Sequence, residues 1–421
     1  MKSSPRGHGG LDTPRPAPLW AVLTVTFLGS IGTGCVGNGL FFIAKSQHGF
    51  DHAQSFGLGL TLGLAYIPAA LVVGPALRRL VRVSNKVTTR GVVFVQAVLL
   101  AGSCFALRTL GDSEWAVWVF AAAYGGITGA HWPLVESYLS GGRKDAALRT
   151  AVGRFNIVWT LAVAIAIFGM TPLIERHPME VIGALGVGHL VSLAAVWRFP
   201  AEPMGHPPDT PHRVPDSFRT LLVVNRVLLP VSYVLLSALN PYWPNAFESI
   251  GVVGGAQTAL ASVWMFARFL TVIALERWHG WHGTRATPAL GAVMLGLGFS
   301  IGVALPGLGS TLSSGAGVGL AVVVLILFGI GMGIIYTGAL YYGLEVGTDG
   351  VDDGGAHEGL IGLGYATGPL LGLVAVQTES AGFVAEGGFR WVLLGLAGAV
   401  FAAAAAYAAR AASTRRVSAK P

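Results

Sequence analysis

One arginine in the interior of an apolar run is the sharpest chemical feature of this sequence: Arg268 lies about two-thirds of the way along the stretch 253–276. A guanidinium stays charged at physiological pH, and its planar fork suits a carboxylate or phosphate. In an apolar interior it reads as a group that binds or orients an anion, or as a structural cation held by a carbonyl or carboxylate. His131, beside Trp132 and Pro133, has a ring that titrates near neutrality and would suit proton coupling; its plainer reading is a neutral histidine hydrogen-bonded between packed helices. Asn38 and Asn240 occupy comparable places in two apolar runs. Asn240 precedes Pro241-Tyr242-Trp243-Pro244, whose two prolines remove helical donors and should break the run where a binding site or a helix end would fall. Tyr233, Tyr242 and Tyr336 add hydroxyls on aromatic faces. The substrate-binding candidates are Asn38, His131, Trp132, Asn240, Tyr242, Arg268 and Tyr336.

Other chemistry finds little support. His357-Glu358-Gly359-Leu360-Ile361 lacks the second histidine of the zinc-protease spacing. His48, Asp51 and His52 offer a metal only a few ligands on a loop, and His279 and His282 beside Trp281 read as solvated, so no metal centre is expected. Cys35 and Cys104 both fall in apolar runs, where a thiol behaves as a small hydrophobe, and no disulfide framework follows. Glycine-rich stretches such as 329–333 lie inside apolar runs, where small residues let helices approach, and are not phosphate loops. No nucleophile, acid and base cluster together, so neither an enzyme nor a cofactor is expected.

The elements that must position these residues are membrane helices. Only 11% of the 421 residues are charged against 53% hydrophobic, with a mean hydropathy of +0.64; a water-soluble chain of this length carries about a quarter charged residues. Apolar segments fall at 19–44, 54–77, 89–108, 114–140, 148–172, 179–199, 219–243, 253–276, 287–306, 314–345, 358–378 and 389–410. Each approaches or exceeds the roughly 20 residues that an α-helix needs to cross a bilayer. Residues 1–18, with Lys2, Arg6 and Arg15, form a tail without the apolar core of a signal peptide.

With the N-terminus cytoplasmic, 22 of the 27 Lys and Arg residues fall on the inner side, the asymmetry expected for an even number of spans with both termini inside. Basic residues spread over many short loops point away from nucleic acid. Residues 200–217, PAEPMGHPPDTPHRVPDS, are proline-rich and read as a cytoplasmic linker between bundles 19–199 and 218–410, with 411–421 a cytoplasmic tail. Laying 60–80 over 258–278 matches span 2 to span 8 and places Arg78-Arg79 on Glu276-Arg277, an internal duplication found in many secondary transporters.

This layout resembles the major facilitator superfamily over nearly the whole chain. Gly74-Pro-Ala-Leu-Arg78-Arg79-Leu-Val-Arg82 is similar to the family's loop 2–3 signature, with Arg78 standing at its aspartate. Residues 133–140, a basic loop and 152–159 look like the passage from span 4 to span 5, and Gly364-x-x-x-Gly368-Pro369-x-x-Gly372 is similar to the glycine–proline signature of its antiporters. The resemblance implies an all-α integral membrane fold, with two pseudo-symmetric six-helix bundles around a central cavity.

It further implies a secondary active or facilitative transporter of a small organic solute, anionic or amphiphilic if Arg268 binds it, working by alternating access as a monomer in the cytoplasmic membrane. The spans show no mid-membrane Asp or Glu, so a coupling proton would fall on His131 or on groups nearer the inner gate. Gate candidates are Arg78, Arg79, Arg82, Glu136, Arg154, Glu276, Arg277, Glu345 and Glu358, with Glu136 pairing to Arg149 or Arg154, and Glu345 or Glu358 to Arg277. A membrane-embedded enzyme acting on lipid, and a non-transporting receptor or scaffold, are the alternatives.

Overall fold

The structure is a computed structural model that describes residues 15–84, 86–205, 215–309, 312–346 and 351–417. The described residues are helical throughout, without strands. In chain order the helices are α1 (Leu19–Gly32), α2 (Leu40–His48), α3 (His52–Val83), α4 (Thr89–Leu110), α5 (Glu114–Ser140), α6 (Asp145–Gly169), α7 (Pro178–Val196), α8 (Asp216–Leu239), α9 (Trp243–Ser249), α10 (Gly255–Arg277), α11 (Ala286–Gly309), α12 (Ser314–Val346), α13 (Val351–Ser380) and α14 (Phe389–Val417). A π-helical turn, Thr33–Asn38, joins α1 to α2, and these three pieces make up the first expected span. The proline pair ends α8 at Leu239, and α9 restarts at Trp243.

Eleven of the twelve expected segments are long and apolar enough to cross a membrane. The other, α5, has the length at 27 residues, but Glu114, His131 and Glu136 dilute its apolar character.

Local chemistry fixes the helix starts. Asp51 and Gln54 form a capping box at α3, with Gln54 N–H donating to Asp51 Oδ1 at 2.8 Å, which satisfies donors that a helix start leaves free. Thr88 Oγ1 accepts from Gly91 N–H at 3.1 Å to open α4. The linker's start is pinned at the helix ends beside it: Tyr138 Oη donates to Pro200 O at 3.0 Å, and Thr89 N–H to Glu202 Oε1 at 3.1 Å. Residues 206–214 of the linker lie outside the described residues.

The two halves meet along two crossings, α3 on α13 and α6 on α10. Under the span 2 to span 8 correspondence one crossing becomes the other. Glycines make the approach close: a Cβ built on Gly63 would lie 2.5 Å from Ala366 N. Within the second half, α13 crosses α8 just as tightly, with Gly368 against Val234 and Ser237 Oγ donating to Gly364 O at 2.6 Å; the glycine–proline stretch of α13 is a packing surface. Helices α4, α7, α11 and α14 stand outside and turn apolar side chains such as Leu99, Val191, Val293 and Trp391 outward, the surface a bilayer would solvate.

One apolar core joins both halves at the end away from the linker, with Phe42 stacked on Phe247 at 6.5 Å. At the linker end each half keeps its own core, around Tyr138 and Phe199 in the first and around Leu221 and Trp281 in the second. The bundle is therefore sealed at the end away from the linker; at the linker end the cores are separate, but the halves still touch, with Glu276 over Gly153 and Gly355 beside Ala70.

Candidate functional site

Between the halves lies a cavity with about 430 Å³ of atom-free space. The first half contributes Ser30 and Thr33, Tyr66 of α3, Trp132 and Glu136 of α5, and Phe155 and Trp159 of α6; the second contributes Tyr233, Tyr336, and Glu358, Ile361 and Tyr365 of α13. On three helices the lining residues recur at helical spacing (132 and 136; 155 and 159; 358, 361 and 365), which puts each set on one face.

The two carboxyls define the chemistry. Glu358, 6% exposed, accepts a hydrogen bond from Tyr66 Oη and lines the cavity together with Glu136. A bond between two carboxyls needs a proton on one of them, because two carboxylates have only acceptors to offer. Glu136 and Tyr66 belong to the first half and Glu358 to the second, so such a bond would tie the halves together, as the Tyr66–Glu358 bond does. Two carboxyls thus line the cavity, in spans read as showing no mid-membrane Asp or Glu. Glu136 and Glu358 turn into the cavity toward each other in place of Arg154 and Arg277, both exposed.

Around them the aromatic rings interlock edge to face: Tyr66 with Tyr365 at 5.6 Å, Tyr365 with Tyr233 at 5.4 Å, and Trp159 with Tyr336 at 5.3 Å. Arg268 stands behind this wall. It is 1% exposed, with Cζ 4.4 Å from the Trp159 ring centroid and 4.6 Å from that of Tyr336. Nη2 reaches Tyr233 Oη at 3.4 Å, and Nε has no partner. The cation is thus held by π faces and clamps α10 to Trp159 of the other half; it does not line the cavity.

The remaining candidates lie elsewhere. His131 faces α4, its Nδ1 3.1 Å from Gln96 Oε1. Asn38 Nδ2 donates to Thr33 O within the π turn. Asn240 Nδ2 donates across the halves to Gly37 O at 3.0 Å, and Tyr242 Oη donates to Val303 O at 2.8 Å; both belong to the sealed end. Arg78, Arg79, Arg82, Arg154, Glu276 and Arg277 are exposed at the linker end, with the Glu276 carboxyl over Gly153 of the other half. The side chain of Glu345 lies outside the described residues. Trp132 and Tyr336 line the cavity, as do Tyr66, Trp159 and Tyr365, which are not among the substrate-binding candidates above.

No family model matches the sequence, and no curated protein is similar to it. Solved structures do match over nearly the whole chain. The nucleoside transporter NupG superposes with a TM-score of 0.63 at 13% identity, covering 94% of this chain and 99% of its own. The POT family transporter PepTSo gives 0.67 at 13% identity, with 95% and 97% covered. A POT family transporter in complex with 5-aminolevulinic acid gives 0.65 at 12% identity, with 94% and 97% covered. The chain shares the fold of these transporters over nearly its whole length.

Proposed function

We propose that this chain is a divergent major facilitator transporter that exchanges a small organic cation for a proton by alternating access. The observation that carries the reading is the Glu136–Glu358 pair set among aromatic rings in a cavity between the halves. Carboxylates with π faces are the surroundings that an alkylammonium or aromatic amine seeks. With its shared proton the pair carries one negative charge; a bound cation that displaces the proton leaves the sum of charges unchanged. Proton and solute thus compete for one site, which is the condition for exchange. Arg268, as the clamp behind the wall, gives no support to an anionic solute.

Residues 19–199 and 218–410 are the moving halves, working as a monomer. The excess of Lys and Arg at the linker end supports a cytoplasmic placing of that end and of both termini. The fold shared with nucleoside and POT family transporters supports solute movement over a scaffold or lipid-enzyme role.

Everted vesicles containing the full chain and holding a respiration-driven pH gradient provide the test, with matched panels of organic amines, quaternary ammonium ions and carboxylates. Cations should dissipate the gradient, and neither Glu136→Gln nor Glu358→Gln should support that response. Dissipation by carboxylates and not by cations would overturn the reading.

A further inference from the structure

A second cavity sits at the sealed end, with about 470 Å³ of atom-free space. Three of its buried nitrogens have no partner: His52 Nδ1, Asn245 Nδ2 and Arg390 Nε. A buried donor left unsatisfied costs on the order of 1–3 kcal/mol, more when charged, so three converging on one cavity call for an acceptor.

One cation, Arg390, stands on its wall. The neighbouring acidic groups are committed: Glu379 accepts from Phe389 N–H at 2.8 Å, Asp51 caps α3, and Glu248 pairs with Lys45 at 3.2 Å. Arg390 makes no ion pair among the described residues; its Cζ lies 5.8 Å from the Trp391 ring centroid. It sits in the first turn of α14, where the helix dipole adds positive potential. The rest of the wall is apolar, with Pro306 and the rings of Tyr242 and Phe389.

We infer that this cavity is a binding site for a small organic carboxylate with an apolar body, distinct from the central cavity. The carboxylate accepts from Arg390 and Asn245 of the second half and from His52 of the first. His52 already packs on Tyr242 at 5.6 Å and on Phe389 at 4.7 Å, so the occupant spans the seal and stabilises it. A ligand selective for the sealed state shifts the population toward that state.

Equilibrium dialysis of radiolabelled benzoate against the purified full chain tests the site, with thermal unfolding as a second readout. Benzoate should bind and raise the unfolding midpoint, unlabelled benzamide should fail to compete, and Arg390→Gln should weaken binding at least tenfold. Gly102→Ala, at a position with nothing within 4 Å of the added Cβ, should leave it unchanged. If Arg390→Gln does not fold, Asn245→Leu should show a several-fold loss. No binding to the native chain, equal competition by benzamide, or undiminished binding in the variants would overturn the inference. None of these outcomes depends on the central site.

Discussion

The glutamate pair gives this membrane interior its chemistry, and the surrounding side chains divide into those that serve it and those that hold the scaffold. His131 is of the second kind. With its ring bonded to Gln96 and turned to α4, His131→Gln should leave amine-driven dissipation of a pH gradient at the wild-type level, measured by the same vesicle fluorescence; a lost response would return coupling to the histidine. Arg268 is a clamp whose value lies in its flat guanidinium lying against two rings. A compact ammonium cannot cover both faces, so Arg268→Lys should lower the unfolding midpoint by a few degrees, consistent with about 1–2 kcal/mol for a desolvated cation–π contact. An unchanged midpoint in thermal unfolding would contradict the clamp.

The residue types in this site were legible in the sequence, but not all of their directions. Glu136 and Glu358 stand out in apolar runs, yet a carboxyl near a span's end next to basic loops reads as a gate, because sequence separation says nothing about which neighbour a side chain faces. The i, i+4 recurrences of Trp132 with Glu136 and Phe155 with Trp159 held the missing information. They mark one polar–aromatic face per helix, visible only when the lining is read as a pattern instead of as single residues.

At the scale of elements the sequence was far more informative. Apolar length set every long helix, and Pro241 with Pro244 marked the break before α9, since a missing donor acts locally. The π turn at Thr33–Asn38 was not legible, because an extra residue in one turn leaves no apolar pattern. Close crossings were only half legible: glycines announce an approach without naming the partner. Gly63 makes the point, as its Cβ position lies 2.6 Å from Tyr365 O. Gly63→Val should force α3 from α13 and lower the unfolding midpoint, on the scale of about 1–3 kcal/mol for overpacking. Gly102→Ala, with nothing within 4 Å, should leave it unchanged.

At the scale of the whole molecule, the halves share an apolar core at one end and keep separate cores at the other, the arrangement the proposed rocking would exploit. In the proposed exchange, a proton shared by Glu136 and Glu358 is a bond between the halves that pH can remove. Losing it leaves two like charges facing each other, and their repulsion parts the linker end. This requires no knowledge of the solute. Spin labels at Val83→Cys and Trp278→Cys, which replace residues 81% and 63% exposed on opposite halves, report the width of that end by double electron–electron resonance; Cys35 and Cys104 are buried. The distance should lengthen as pH rises from about 5 to 9 in the native background and stay constant in Glu358→Gln, whose amide keeps a bond to Glu136 without a shared proton. A distance that ignores pH in the native background, or that changes equally in Glu358→Gln, would contradict a proton-controlled latch between the halves.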